Sequence, residues 1–437
     1  MEPTPRTERP KIAYVSTRAL DEKTMAGRLH VARSIVTALE GWSDLDIHLL
    51  PCLLTEPTAG RALEATLAAA GSLFSGPLLP LQCALFAGSS DIERLIERLP
   101  ADVSAVYLDG VRSYAMLAAL RRRRPELRIV ADLDDLMSRR MDLLMAAGES
   151  LSPGYLAKRL PPLLRGLVTA KALGRMIVRY ERSTLRRIER RICDLADAVV
   201  LVSAEDARAL AASTPGRNAQ IVAIPPPSPP PSDGHPFVEP GRFVFVGSDA
   251  LTQNRMTIDY LVGLWRRHAI ATPLVLYGHH ARALDLPPGV QAAGYAEQIA
   301  DIYDGRSVLL TPSKIGGGIK TKVLEAFAYG APVIGNSLTF EALPIGNYPL
   351  LVEDEAELAA LLLDPMGRRA LFEEAVAHGL NYIAQNHGAD AFASRWRNLL
   401  EPGPGRARRA QAQRRPIRAV AAFSRTPDAA PPDPAPL

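Results

Sequence analysis

The amino-acid sequence predicts an α/β protein built from two Rossmann-like, parallel-sheet domains that face each other across a cleft. Three observations carry that reading. Short apolar runs alternate with helical patterns in both halves of the chain, and the proline-rich run "IPPPSPPPSDGHP" separates the halves. A length of 437 residues, 47% of them hydrophobic, suffices for two cores.

The elements follow in order. Residues 1–10 are polar and are expected to be disordered. The first domain, 11–215, opens with the apolar run "KIAYVST", the helical "RLHVARSIVTALE" and a second strand, "DIHLLPC", which together make a βαβ unit. The alternation repeats through "VSAVYLD" (103–109), "SYAMLAALRRRR" and "LRIVADL" (127–133), then "AVVLVSAEDARAL". Residues 216–240 form a semi-rigid linker, because consecutive prolines exclude both helix and central strand. In the second domain, 241–400, the strands are "RFVFVGS" (242–248), "TPLVLYG" (272–278), "SVLLTPS" (307–313) and "APVIGN" (331–336), again separated by helical patterns. The amphipathic "ADAFASRWRNLL" closes it and is a candidate to pack back on the first domain. The tail 401–437, rich in Arg, Pro and Ala without apolar periodicity, is expected to be disordered.

Composition excludes several classes. Cys52, Cys83 and Cys193 are odd in number and lack CxxC spacing, which argues against a disulfide framework or a zinc site and for a reducing cytoplasm. The N-terminus has no apolar core and does not read as a signal peptide. Ala65 to Ser90 carries no charge, but Gly71, Gly76, Pro77 and Pro80 interrupt it, so it reads as a helix followed by a buried or lipid-facing loop and not as a span. The net charge of +4 is partly a property of the tail, where seven arginines lie between Arg406 and Arg425. No nucleic-acid partner is expected, because the basic stretches lack interleaved aromatics.

The segment with the most chemistry is "KIGGGIKTKVLEAFAYGAPVIGN", residues 314–336. A strand ending at Ser313, a glycine loop at Gly316, Gly317 and Gly318, and a helix beginning near Thr321 bring backbone N–H groups and a helix N-terminus together. That arrangement suits an anion. Lys320 and Lys322 add positive charge, and Glu325 lies one turn further on. A P-loop is excluded, since the residue before Lys320 is Ile319 where that motif needs glycine. By spacing alone, a tight strand-to-helix turn with surface lysines explains the same residues.

The whole string resembles the nucleotide-sugar-binding segment of GT-B glycosyltransferases, in particular the large retaining group called family 4. "FVFVGSDALTQNRMTIDYLVGLW" is similar to that family's strand, phosphate-side loop and helix, and "GVQAAGYAEQIADIYDGRSVLLTPS" to its base-side segment. The resemblance implies a hexosyltransferase-type enzyme of GT-B fold, with a nucleotide diphosphate sugar as donor substrate, no required cofactor, no metal and retention of configuration. It also implies site roles. Glu325 would accept hydrogen bonds from the donor ribose; Gly316, Gly317, Gly318 and Ile319 would present amides to sugar and diphosphate; Lys320 or Lys322 would assist the leaving group. Ser248, Asn254 and Arg255 would lie on the phosphate side, and Tyr295 beside the base. The chain departs from the family at Gly317, where many members carry the first of two glutamates, so the identity of the sugar is left open and a non-catalytic nucleotide-sugar scaffold is a second reading.

The first domain offers fewer signals. Asp132 and Asp134 end the strand of "LRIVADLDDL", and Asp109 ends "AVYLD"; strand ends face the ligand cleft of such folds, which makes Asp109 and Asp134 catalytic candidates and Asp132 an acceptor-side one. Two other readings compete: a metal-dependent enzyme using Asp132 and Asp134, and plain helix capping by Asp134 or Asp135. Gly27 and Arg28 read as the acceptor-side loop, with His30 on the helix surface. Residues 165–191 form a basic helix in which Arg175, Arg179, Arg182 and Arg186 share a face, suited either to an anionic membrane surface or to solvent with Glu181 and Glu189 as partial partners. The expected partners are therefore a nucleotide sugar and a glycan or lipid-linked acceptor, and the expected location is cytoplasmic, peripheral on the inner face of the membrane.

Overall fold

The computed structural model describes residues 9–21, 27–53, 78–146, 171–228, 236–280 and 284–401. The terminal segments read as disordered, the charge-free stretch up to Pro77, the start of the basic helix before Lys171 and the centre of the proline run lie outside those residues. Among the described residues no helix is long and apolar enough to cross a membrane.

Two parallel sheets organise the chain. The first contains β1 (Lys11–Ser16), β2 (Asp44–Leu49), β3 (Ala105–Asp109), β4 (Arg128–Asp134), β5 (Ala198–Leu201) and β6 (Gln220–Ala223), in the order β2-β1-β3-β4-β5-β6. Its helices are α1 (Gly27–Glu40), α2 (Leu81–Ala84), α3 (Ser89–Arg98), α4 (Tyr114–Arg123), α5 (Met137–Ala146), α6 (Lys171–Leu195) and α7 (Ala204–Ser213). The second sheet runs β11-β10-β7-β8-β9, from β7 (Arg242–Val246), β8 (Leu274–Tyr277), β9 (Val290–Gly294), β10 (Ser307–Leu310) and β11 (Val333–Ile334). It carries α8 (Thr252–Arg267), α9 (Thr321–Ala328), α10 (Ser337–Phe340), α11 (Glu355–Leu363) and α12 (Arg369–Asn386); α13 (Ala389–Leu400) ends the described chain.

The strands β3 and β5 are buried at every position, as continuous Val/Leu/Ala runs covered by helices on both faces require. Strand order reverses between β1 and β3 in the first sheet and between β7 and β10 in the second. Ligands of open α/β sheets bind outside the carboxyl ends of strands at such switch points. Asp109 ends β3 at the first, and the glycine loop follows β10 at the second.

Two boundaries differ from the sequence reading. The segment assigned to the linker, 216–240, contains β6, whose Gln220–Ala223 pairs in register with Ala198–Leu201 of β5. A four-residue run beside prolines is too short to show periodicity, which hid the strand. The strand β9 was also not anticipated: it is a sheet edge with three of its five residues exposed, so it lacks an apolar signature.

The last helix crosses back to the first sheet. Phe392, Trp396, Leu399 and Leu400 of α13 join the core with Ile12, Tyr14, Tyr107 and Val130. Trp396 meets the Tyr107 ring edge-on at 5.4 Å, and Tyr107 stacks on Tyr14 at 4.3 Å. Conversely Ile315, just before the glycine loop, belongs to the core of the first half.

Candidate active site

The glycine loop is shaped by its neighbours as much as by its own freedom. Gly317 and Gly318 hold φ of +93° and +64°, the left-handed region that side chains disfavour. A Cβ on Gly316 would collide with the Glu341 carboxylate, and one on Gly318 with that of Asp135. The Gly317 N–H donates to Glu341 Oε2 at 2.7 Å, so one amide expected to meet a ligand is engaged by a carboxylate here. Glu341 in turn pairs with Arg139 of α5, which also holds Asp206 of α7 at 3.0 Å. Although burial opposes it, the Gly317 N–H and the Arg139 guanidinium keep the Glu341 carboxyl below its usual range. Asp135 pairs with Arg140. A cavity of 70 Å³ remains between Arg140 and Leu144 on one side and Gln253, Ile315, Gly317 and Lys320 on the other.

Behind the loop, α9 begins without a side-chain cap. Its first N–H groups therefore have no side-chain acceptor, which favours an anion. Lys320 Nζ donates to the Gly317 carbonyl at 2.7 Å. Burial and the nearby Arg140 push its amine down to about 8, against the pull of Asp135, Glu341 and Asp206. Lys322 Nζ lies over the Phe245 ring at 4.2 Å and donates to Asn254 Oδ1 at 3.3 Å. Burial, with Lys320 alongside, lowers it to about 7, while Glu325 opposes the shift. Burial raises the Glu325 carboxyl, with Lys322 restraining it.

The loop after β7 completes this side. Asn254 Nδ2 donates to the Ser248 carbonyl at 3.0 Å, and Ser248 Oγ to the His279 carbonyl at 2.9 Å. Ser248, Asn254, Lys322 and Glu325 thus gather around the second switch point. Arg255 is half-buried on α8. Tyr295 is 67% exposed, its ring tilted against His279 at 6.5 Å.

Across the cleft, Arg28 organises the carboxylates. Its guanidinium reaches Asp109 at 2.6 Å, Asp132 at 2.9 Å and Asp134 at 3.1 Å. The three acids outweigh the burial that would lower it, and hold its pKa above the ordinary value. Asp109 also pairs with Arg18 at 3.3 Å and accepts from Thr17 Oγ1 at 3.2 Å, and its carboxyl stays low, at about 2, despite burial. Tyr107 donates its hydroxyl to Asp132 at 2.6 Å.

This arrangement bears on several expectations about the first half. Arg28, read as an acceptor-side residue beside Gly27, is nearly buried and already engaged by three carboxylates; Gly27 opens α1. Asp109 and Asp132 are buried beneath it. A guanidinium occupies the position in which the metal-dependent reading needs a cation. Nor do Asp134 and Asp135 cap α5: the Leu136 and Ser138 N–H groups donate to Asp206 and Glu189. Only Asp134 keeps an outward-facing carboxylate, with its side chain 30% exposed. It is also the one non-glycine residue with positive φ among the described residues, +66°, at a register shift in β4. Burial, with Asp135 and Asp132 close by and Arg28 opposing, raises its carboxyl to about 7.

The basic helix also differs from its reading. Arg182 and Arg186 both pair with Asp142 of α5. Glu181 and Glu189 do not pair with a solvated face but are buried, accepting from Leu81 N and Ser138 N.

Comparison with known proteins follows this geometry. Residues 240–366 match the family model described as Glycosyl transferases group 1. No curated protein sequence matches the chain. Among solved structures, sucrose-phosphate synthase from Thermosynechococcus elongatus is similar over 92% of this chain and 100% of its own, with 15% identity and a TM-score of 0.60. HepE from Anabaena, in complex with UDP-glucose, is similar over 89% and 98%, with 10% identity and a TM-score of 0.56. The apo form of the lipopolysaccharide outer core galactosyltransferase WaaB is similar over the same shares, with 12% identity and a TM-score of 0.54. Two parallel sheets, the glycine loop on the second, and these likenesses together show the GT-B fold, and residues 240–366 are similar to the group 1 glycosyltransferase model.

Proposed function

We propose that the protein transfers a hexosyl group from a nucleotide diphosphate sugar to a hydroxyl, with retention of configuration, on a polysaccharide or lipid-linked glycan precursor. The observation that carries this reading is the pair of desolvated lysines, Lys320 and Lys322, at the uncapped start of α9 behind a glycine loop, with Glu325 one turn on. Two amines held below their usual range form no ion pair among the described residues. A diphosphate supplies a counter-anion, and their restored charge stabilises it as it departs. Glu325 accepts hydrogen bonds from the ribose diol, which favour its ionised form against the burial that raises its carboxyl. Ser248, Asn254 and Arg255 take the phosphate side and Tyr295 the base side.

On the acceptor side, Asp134 orients the hydroxyl that attacks. Asp109 and Asp132 act through Arg28, fixing its guanidinium and with it the Asp134 carboxylate. No protein nucleophile is assigned; the acceptor attacks from the face the diphosphate leaves, and a departing phosphate oxygen takes its proton. The names of two neighbours support the substrate class: one binds UDP-glucose, and another acts on lipopolysaccharide outer core. A lipid-linked acceptor would bring the enzyme to the cytoplasmic face of the membrane as a peripheral protein.

The test is ligand-induced thermal shift against UDP, GDP, ADP and TDP sugars, wild type beside Glu325→Ala. One nucleotide should raise the melting temperature, because a ligand that binds only the native state stabilises it. Glu325→Ala should weaken that ligand about 10- to 100-fold, the loss of a charged hydrogen bond. Absence of any shift at millimolar donor would refute the donor site. Binding without transfer or donor hydrolysis would refute the enzyme and leave a scaffold.

A further inference from the structure

At the opposite edge of the first sheet lies a second concentration of charge. A recess of about 390 Å³ is lined by Arg187, Arg190, Arg191, Asp194 and Arg217. The last turns of α6 and the segment before β6 form it. Ala198 and Gln220 begin their paired strands just beyond these residues, so the recess sits at the amino ends of β5 and β6. The Asp134 cluster and the glycine loop lie at carboxyl ends.

Pairing is the rule for the arginines around it. Arg182 and Arg186 pair with Asp142, Arg121 with Asp197 and Arg123 with Glu93. Within the recess, Asp194 pairs with Arg217. Arg187, Arg190 and Arg191 are exposed, and among the described residues none of their guanidinium groups has an ion pair or a hydrogen bond. Four cations against one anion leave a formal charge of +3 in one concavity. The carboxyl end of α6 favours a cation nearby, but that effect is about 0.3–1 kcal/mol and does not call for three converging guanidinium groups. Guanidinium forks match phosphate oxygens bidentately.

We propose that this recess binds a phosphate ester or diphosphate carrying two or more negative charges, either as the headgroup of an anionic lipid or as a soluble phosphate compound. It is separate from the donor site and does not depend on the proposed reaction. Bound there, the anion would take bidentate contacts from Arg187, Arg190 and Arg191 and compete with Asp194 for Arg217.

The test uses the full chain, a recess variant (Arg187→Gln/Arg190→Gln/Arg191→Gln) and a variant with equal charge loss in the tail (Arg406→Gln/Arg408→Gln/Arg409→Gln). The probes are sodium pyrophosphate by titration calorimetry and phosphatidylcholine vesicles containing phosphatidic acid by sedimentation. The three recess residues are exposed, so the variant should melt like wild type. The recess variant should lose about 100-fold in vesicle affinity, on the basis of roughly 1 kcal/mol per basic residue at an anionic surface, or lose one pyrophosphate site per chain. The tail variant should lose neither. Loss with vesicles alone identifies a lipid headgroup, and loss with pyrophosphate alone a soluble ligand. Loss with both shows that the phosphate itself is recognised. Unchanged binding of both probes to the recess variant, or an equal loss in the tail variant, overturns the proposal.

Discussion

Raising the pH should weaken nucleoside diphosphate binding while it stabilises the empty protein. Lys322 and Lys320 titrate at about 7 and about 8 in the ligand-free site. A bound diphosphate moves both back toward the ordinary lysine value, so above those pH values binding must take up protons. Between pH 7.5 and 9 the cationic fraction of Lys322 falls from about 24% to about 1%, and that of Lys320 from about 76% to about 9%. Apparent affinity should then fall about 25-fold through Lys322 and up to about 8-fold more through Lys320. The upper window is chosen because the nucleotide's terminal phosphate is already ionised there.

The stability sign is opposite. Each lysine has a folded pKa below its unfolded value, so between about pH 7 and 10.5 the unfolded chain binds more protons and ligand-free stability rises with pH. Calorimetry in two buffers of different ionisation enthalpy reads the proton uptake, and melting temperatures without ligand read the stability. Lys322→Met should remove the larger part of both dependences. Affinity that stays flat from pH 7.5 to 9, without proton uptake, would refute the assignment of these amines to the diphosphate.

Three further outcomes follow from named contacts. Arg28→Met leaves Asp109, Asp132 and Asp134 without their shared cation, a loss of about 3–5 kcal/mol for a broken buried pair; its melting temperature should drop sharply and recover in part at acid pH, as the carboxylates protonate. Asp134→Asn should change a stability slope: a folded pKa of about 7, above the unfolded value, means that the native state binds the extra proton between about pH 4 and 7, so Asp134's contribution to stability declines over that window and is absent from the variant. Arg139→Ala and Glu341→Ala should each lower the melting temperature, and a double-mutant cycle should give a coupling of about 0.5–3 kcal/mol; strict additivity would mean that the pair contributes nothing across the cleft.

The glycine loop was legible because its signal is local. Consecutive glycines, two lysines and a glutamate lie within ten residues, and Gly317 and Gly318 do adopt the conformations for which glycine is needed. The cluster around Arg28 was not, because its meaning lies in contacts between distant residues. Arg28 meets Asp109, Asp132 and Asp134 across 81, 104 and 106 positions, and nothing about an arginine near the start of a helix announces that. Glu341 was missed for the same reason. It lies 24 residues beyond Gly317, after α10, in a stretch without a motif, yet it holds a loop amide from a direction that sequence spacing does not encode. Local order also misled at 220–223, where the prolines drew the boundary and the strand pairing overrode it.

Each side of the cleft is braced by the other half of the chain. At the first sheet, Trp396 of α13 packs on Tyr107, the Tyr107 hydroxyl donates to Asp132, Asp132 pairs with Arg28, and Arg28 fixes Asp134. A helix that follows the second sheet in sequence thus supports a carboxylate of the first. At the glycine loop, Arg139 of α5 holds Glu341, and Glu341 holds the Gly317 amide, so a helix of the first half supports the loop of the second. The two supports differ in kind. The Trp396 route is a buried aromatic contact that persists through small movements, whereas the Arg139 pair is an ionic contact across the cleft that opening would break. Separating the halves would therefore remove the ionic support of the glycine loop and leave the carboxylates around Arg28 assembled.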